Sequence, residues 1–442
     1  MLYKALIDEC KILSEVWSEF YYHLRKRVKA MTNKVVITTV DAGGGHVAVM
    51  ESLYKTLRRH EDKQIQVEKY YSKQSKYDNI YRVIARSPQL LELLHFSSIQ
   101  LVKWFKPLLM LPEMPGAKKV LQESKPQVVL CTHPFQSLVF KTLKDKMGLS
   151  SDIVTVICDY GDPKEYIKYA PVVDYYIVRD EDTRQKALKY LPPEKADSVF
   201  IFGTEVKEAF EKYHAAQQPQ VETEFKELLA EVCGDKAGEF NDSKPTLLVL
   251  GGSGWVRKSN SLVQKLARSG KYNMLVVCGK DVALKAEYCS TPGVFCFGFL
   301  EQEKLALIEA KADVAVLATL APATMYELLT INKYPLFVHR YHARQEEPHI
   351  KLLSDWEVGF YEPDDETMMQ KLDAYLENPA NYKKQLENGA RRCAEEKRKA
   401  AANYKFIQKM LAEKNVIDIT SARAKHKSPK GASAFQNLKH LG

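Results

Sequence analysis

One pattern, a β-branched run that ends on glycines and passes directly into helical spacing, occurs twice in this chain and constrains its fold more than any other feature. In residues 34–51, KVVITTVDAGGGHVAVME, the apolar run Val35 to Val40 reaches Asp41, crosses Gly43, Gly44 and Gly45, and passes His46. Val47, Met50, Leu53, Tyr54 and Leu57 then recur at helical spacing. The order predicts strand, tight turn, helix. Glycines in such a turn adopt positive φ and leave no Cβ between backbone and ligand. The helix start adds unpaired N–H groups aimed at the same spot, which favours anionic or electron-rich ligand atoms. Asp41 and His46 flank the turn, so two proton-transfer groups stand at the mouth of a site. The string GGGH has neither the GxGxxG spacing of a dinucleotide fold nor the GxxxxGK[ST] of a P-loop.

The second copy is TLLVLGGSGW. Thr246 to Leu250 predict a strand, Gly251, Gly252, Ser253 and Gly254 a tight loop, and Ser259 to Leu266 a helix. Between and after the two copies, strands are expected at Ile65–Tyr71, Val128–Cys131, Ile153–Cys158, 172–178 and 199–206, then at 274–280, 294–300, 313–318 and 336–339, where the series ends. Helical patterns alternate with them, which predicts an α/β chain with parallel sheets. Residues 207–243 are polar and carry no strong strand, so the boundary between halves falls there. The expected organisation is an amphipathic helix over 1–30, a first doubly wound domain over 31–206, a linker over 207–243, and a second over 244–365. Solvated amphipathic helices over 366–420 and a basic flexible tail over 421–442 complete it. Two such halves, each turning glycines toward a shared cleft, suggest a clamp on a phosphate-bearing ligand.

Length supports this division, since 442 residues exceed what one core usually holds. A hydrophobic content of 45% with 27% charged residues is that of a soluble globular protein. The eight cysteines show no CxxC spacing, and several lie inside strand-like runs, which suits a reducing compartment. No signal peptide is evident, and no apolar run approaches the length of a membrane span. Residues 88–112, PQLLELLHFSSIQLVKWFKPLLMLP, hold more large apolar residues than one stripe of a surface helix needs. They are read either as a helix buried between layers or as an apolar element that meets lipid. The formal charge of +9 gathers largely at the chain ends and is weak as a whole-chain argument.

Further candidate site residues lie where open α/β sheets bind ligands, after the carboxyl ends of strands. His133 follows Val128–Cys131, and Asp159 follows the next strand. In TLAPATMYELL a turn of small residues leads to a helix starting near Thr324, where N–H groups and a hydroxyl can meet phosphate. Glu327, one turn on, is placed to accept from two ribose hydroxyls, or is an ordinary solvated helix acid. The segment HRYHARQEEPH contributes Gln345 and Glu346, side chains suited to reading sugar hydroxyls.

Taken in order over roughly residues 34–365, DAGGGHVAV, THPFQ, TVICDY, FGTEVKEAF, GGSG, GFL, APATMYE and RQEE resemble the GT-B-fold glycosyltransferases. The resemblance is to the group that includes monogalactosyldiacylglycerol synthases, processive diacylglycerol glucosyltransferases and the N-acetylglucosaminyltransferase that completes lipid II. It implies two Rossmann-like domains facing each other across a cleft, with the helices over 366–420 packing back on the first domain, and inverting transfer of a sugar from a UDP-sugar to a lipid acceptor. It implies no cofactor beyond the donor substrate, no metal and no nucleic acid, and a cytoplasmic protein bound peripherally to an anionic membrane surface. By the same resemblance Gly252, Ser253, Phe299, Leu300, Ala323, Thr324 and Glu327 would hold the nucleotide, and Gln345 and Glu346 the hexose. Gly44, Gly45, His133 and Asp159 would line the acceptor side, Asp41 or His46 would be the base, and Arg257 and Lys258 would neighbour the diphosphate.

The chain departs from the family pattern at three places. Ala321, Pro322, Ala323 and Thr324 replace a usual Gly-Pro-Gly-Thr; Glu347, Pro348 and His349 replace Glu-Gly-Asn; and Pro163 and Tyr166 follow Asp159 where lipid-specific members carry His-x-x-Trp. These departures leave a second reading, a catalytically weak GT-B scaffold that binds a nucleotide sugar or lipid. A sugar-nucleotide epimerase on the same fold is a third, in which the apolar 88–112 segment has no role.

Overall fold

The computed structural model describes residues 33–40, 44–59, 65–72, 113–169, 173–203, 207–216, 218–252, 255–341 and 346–426. The expected helix over residues 2–29, the apolar segment 88–112, Asp41, Ser253 and Gln345 lie outside them.

The first domain is a six-stranded, all-parallel sheet in the order β2-β1-β3-β4-β5-β6. Its strands are β1 (Asn33–Val40), β2 (Ile65–Ser72), β3 (Val128–Cys131), β4 (Asp152–Val156), β5 (Tyr175–Val178) and β6 (Val199–Ile201). Its helices are α1 (Gly44–Arg59), α2 (Met114–Glu123), α3 (Pro134–Met147), α4 (Lys164–Tyr169) and α5 (Glu181–Leu188). Every residue of β3 is buried, as a strand covered on both faces requires. Alternate residues serve opposite layers. Val129 and Cys131 pack with Leu121 of α2 and Phe140 of α3, whereas Val128 and Leu130 pack with Met50 and Leu53 of α1.

After α6 (Glu208–Ala215) and α7 (Gln218–Cys233), the second domain forms a six-stranded parallel sheet in the order β12-β11-β10-β7-β8-β9. It contains β7 (Thr246–Leu250), α8 (Asn260–Ser269), β8 (Asn273–Val277), α9 (Val282–Cys289), β9 (Val294–Phe297), α10 (Gln302–Lys311) and β10 (Val314–Leu317). It continues with α11 (Pro322–Ile331), β11 (Leu336–Val338), α12 (Glu347–Asp355), β12 (Gly359–Tyr361), α13 (Asp365–Glu377) and α14 (Lys383–His426). The strand series therefore runs one strand past its expected end. β12 is only three residues long and partly exposed, too short to carry a periodic signal.

α14 couples the two domains. Cys393, early in the helix, belongs to the second-domain core, while Ile407, Met410 and Leu411 pack under β1 and α1. At the crossing, Asn403 satisfies both backbone groups of Gly203, accepting from its N–H at 3.1 Å and donating to its carbonyl at 2.6 Å. A Cβ at Gly203 would lie 2.3 Å from the Ala400 nitrogen, so only glycine permits the approach. The helix continues through Ser421 to His426.

Candidate active site

Because β1, β3 and β4 are neighbours in the first sheet, the segments after them meet at one edge. α1 begins at Gly44, so Gly44 and Gly45 form the first turn of the helix and are not part of a loop before it. First-turn N–H groups have no intrahelical partner, and at Gly45 no heavy atom lies within 4 Å of where a Cβ would stand. His46 sits beside them with Nδ1 2.7 Å from the Thr132 carbonyl. A carbonyl only accepts, so Nδ1 carries the hydrogen and Nε2 the lone pair. The Thr132 hydroxyl returns the contact by donating to the His46 carbonyl at 3.1 Å. His133 stands edge-on to His46 with ring centres 4.9 Å apart, and its Nδ1 accepts from the Phe135 N–H at the start of α3. Burial, with the nearby His46, pushes the His133 imidazole well below its usual range, so it is neutral at pH 7. Asp159, expected at this edge, accepts from the Tyr166 hydroxyl at 3.1 Å. Burial holds that phenol well above its ordinary value and so keeps it a donor.

Across the cleft, Gly252 takes a left-handed φ of 55° after β7, with Thr319 beside it. α11 starts at Pro322, two residues before the expected Thr324. Proline at the first helical position removes an N–H that would be orphaned anyway. No side chain caps this end, so the N–H groups of Ala323 and Thr324 lie in a first turn without intrahelical partners. Ala323, Tyr326 and Glu327 face Ala48, Ser52 and Lys55 of α1 across a cleft of about 590 Å³, part of it open to solvent. Phe299, after β9, is 68% exposed, a large aromatic face at a strand end where the nucleotide was expected. Leu300 packs partly into the core.

Several polar groups stand differently from the simplest reading. Glu327 is not a solvated helix acid: it is buried, and Lys207 from the start of the linker meets its Oε1 at 2.5 Å. Behind it, Glu309 on α10 is fully buried with neither carboxylate oxygen hydrogen-bonded. Burial, and then the Glu327 charge, raise the Glu309 carboxyl well above the usual range. Glu346 is buried and accepts from the Leu320 N–H at 3.2 Å, bracing the turn before α11. Arg257 pairs with Asp281 at 3.1 Å and Glu287 at 3.5 Å, while Lys258 donates to the Tyr341 carbonyl. Among the described residues no three of His, Cys, Asp and Glu are grouped to hold a metal ion.

The two edges also touch. His349 of α12 is buried, with Nδ1 2.8 Å from the Leu320 carbonyl and Nε2 3.3 Å from the Tyr160 N–H and 3.8 Å from Asp159 Oδ1. Tyr160 and Tyr326 share a hydrogen bond of 2.8 Å, and Arg179 pairs with Glu396 of α14 at 3.1 Å, both almost fully buried. The Arg179 guanidinium lies over the rings of Tyr160, Phe202 and Tyr326. Sequence reasoning missed Lys207, Glu309, Arg179 and Glu396. The available signals were a charged residue inside the otherwise apolar runs YYIVRD and LALIEAKA, and a lysine closing FGTEVK.

Two facing, doubly wound parallel domains with a C-terminal helix returning to the first define the GT-B fold. Solved structures agree. A UDP-GlcNAc 2-epimerase from Neisseria meningitidis bound to UDP-GlcNAc superposes with a TM-score of 0.57 at 12% identity, covering 86% of this chain and 100% of that one. The Anabaena protein HepE in complex with UDP gives 0.53 at 11%, covering 86% and 100%. The family model described as monogalactosyldiacylglycerol (MGDG) synthase matches residues 44–204. Among curated relatives, a UDP-N-acetylglucosamine--N-acetylmuramyl-(pentapeptide) pyrophosphoryl-undecaprenol N-acetylglucosamine transferase of Clostridium botulinum (strain Loch Maree / Type A3) is 25% identical over 297 residues, 63% of this chain and 75% of that protein. A processive diacylglycerol beta-glucosyltransferase of Bacillus cereus (strain B4264) is 23% identical over 284 residues, 61% and 67%. The chain has the GT-B fold and is similar in sequence to these glycosyltransferases over the spans given. No helix among the described residues is long and apolar enough to cross a membrane.

Proposed function

We propose that this protein is an inverting, metal-independent glycosyltransferase that moves a hexose or N-acetylhexosamine from a UDP-sugar to a hydroxyl of a lipid acceptor such as diacylglycerol, at the cytosolic membrane face. The observation that carries the reading is the hydrogen bond from His46 Nδ1 to the Thr132 carbonyl, which puts the ring's lone pair on Nε2 at the edge the reading assigns to the acceptor. In the reaction the acceptor oxygen attacks the anomeric carbon from the face opposite the diphosphate, and the bond from that carbon to the phosphate oxygen breaks. The acceptor proton passes to His46 Nε2, and UDP leaves with the bonding electrons. The uncapped start of α11 supports the departing negative charge with the N–H groups of Ala323 and Thr324. The names of the two relatives, one acting on a lipid-linked pyrophosphate and one on diacylglycerol, favour a lipid acceptor.

A second reading, a scaffold that binds nucleotide sugar without turnover, is favoured by the Ala-Pro-Ala turn and by the hold of Lys207 on Glu327. The test offers purified protein a panel of UDP-sugars with and without vesicles containing diacylglycerol. UDP release from one donor, only with vesicles, is the expected result. Saturable UDP binding with no turnover on any donor would replace it with the scaffold reading.

A further inference from the structure

Pro348 and His349, one of the departures named above, meet Asp159, Tyr160 and Gly161, the residues just before another, Pro163 with Tyr166. Pro348 packs on Gly161: a Cβ there would lie 2.5 Å from Pro348 Cγ, and Gly161 has φ of 97°, so no other residue fits without strain. Beside this contact His349 makes two hydrogen bonds with opposite roles. Nδ1–H donates to the Leu320 carbonyl in its own domain, and Nε2 accepts from the Tyr160 N–H in the other. A neutral imidazole satisfies both at once. Leu320 belongs to the turn that starts α11, and Tyr160 follows Asp159 at the acceptor edge.

We propose that His349 is a positioning residue that ties the turn before α11 to the acceptor edge of the first domain and so fixes the width of the cleft across which the sugar moves. The assignment of the two edges rests on the glycosyltransferase reading, whereas the tie itself does not. Asp159, 3.8 Å from Nε2, offers the ring an alternative partner: once Nε2 is protonated it no longer accepts from Tyr160 and turns to the carboxylate. The other ionisable groups around it are Tyr160 and the Arg179 cation on the first domain, Glu346 at the Leu320 turn, and Tyr326 and Glu396, which join through Tyr160 and Arg179. Burial and the Arg179 charge lower the His349 pKa, against the pull of Asp159. The tie is therefore complete above the ordinary imidazole value of 6.5 and is lost as pH falls through the lowered one.

Amide hydrogen exchange on the full chain tests this without needing turnover. In His349→Ala at pH 7.5, peptides covering 157–162 and 318–326, one from each domain, should both exchange about tenfold faster, the loss expected for one hydrogen bond, while β1 and β3 stay unchanged. The gap from wild type should narrow below pH 6.5. Gly161→Ala, which wedges the neighbouring Pro348 contact, should reproduce the paired increase even if His349→Ala folds poorly. Faster exchange confined to 318–326 and 346–353 in both variants would make His349 a local brace of the Leu320 turn and overturn the proposal. A protein with coupled exchange but no turnover would refute the proposed function and leave the tie standing.

Discussion

The Thr132 carbonyl decides which nitrogen of His46 carries hydrogen, and that orientation sets what substitutions there should do. His46→Ala should lower kcat by about 10²- to 10⁴-fold, the usual contribution of a general base, with UDP affinity changed less than about threefold. Steady-state kinetics beside calorimetric UDP titration separates the two, and an equal loss of UDP affinity would move His46 to the donor side. Glu309 makes a different prediction. Its raised carboxyl disfavours the folded state as pH climbs above the ordinary value of 4.5, because the unfolded chain ionises there and the buried group resists. Glu309→Gln should therefore gain stability relative to wild type between pH 4.5 and 7.5, read by urea unfolding at both. A pH-independent difference would show that Glu309 is ionised in the fold. At this scale the sequence exposes a histidine after glycines, but not the carbonyl that orients it, since a backbone group has no identity to read. Nor does a Glu reveal that it is buried until the helix face it occupies is known.

Of the elements, α11 offers one uncapped first turn, where the proposed function puts the diphosphate. Placing a negative charge there should oppose a diphosphate: Ala323→Asp is expected to weaken UDP binding at least about tenfold, since it competes for the same N–H groups and reverses the favourable field. Ala323→Ser, uncharged, should cost far less, and calorimetry with UDP distinguishes them; equal affinities in all three would mean the nucleotide does not approach this turn. Most strands were legible because buried parallel strands read as continuous apolar runs, as VVLC in β3 and TLLVL in β7 do. Their ends were not. The run from Ile153 continues apolar to Cys158, yet β4 stops at Val156, because beyond it the chain bends into the Asp159 turn while keeping only the bond from the Ile157 N–H to the Ile177 carbonyl. Helix starts slipped likewise, toward Gly44 and Pro322, since a glycine or proline reads as turn whether it precedes the first turn or forms it.

For the whole molecule, the domain arrangement depends on groups that no local pattern pairs. Arg179 directly follows β5 and Glu396 lies more than two hundred residues later on α14, yet they form a nearly inaccessible ion pair at 3.1 Å, with Tyr160 and Tyr326 bridging the domains beside it. Burial opposes the arginine charge, but the surrounding acids and phenols outweigh it, so the guanidinium stays ionised. Removing one partner strands the other charge in a medium that solvates it poorly, which costs about 3–5 kcal/mol, whereas removing both leaves only a packing change. Arg179→Met should thus destabilise strongly, and the double variant with Glu396→Met should recover most of the loss. Because α14 carries contacts to both cores, the single variant should also separate the unfolding of the two domains into distinct steps. Fluorescence and circular dichroism followed along the same urea titration would then no longer coincide. Coincident single transitions in Arg179→Met, or a double variant no better than the single, would show that the domains are held by the apolar contacts of Ile407, Met410 and Leu411 and that the buried pair contributes little to their union.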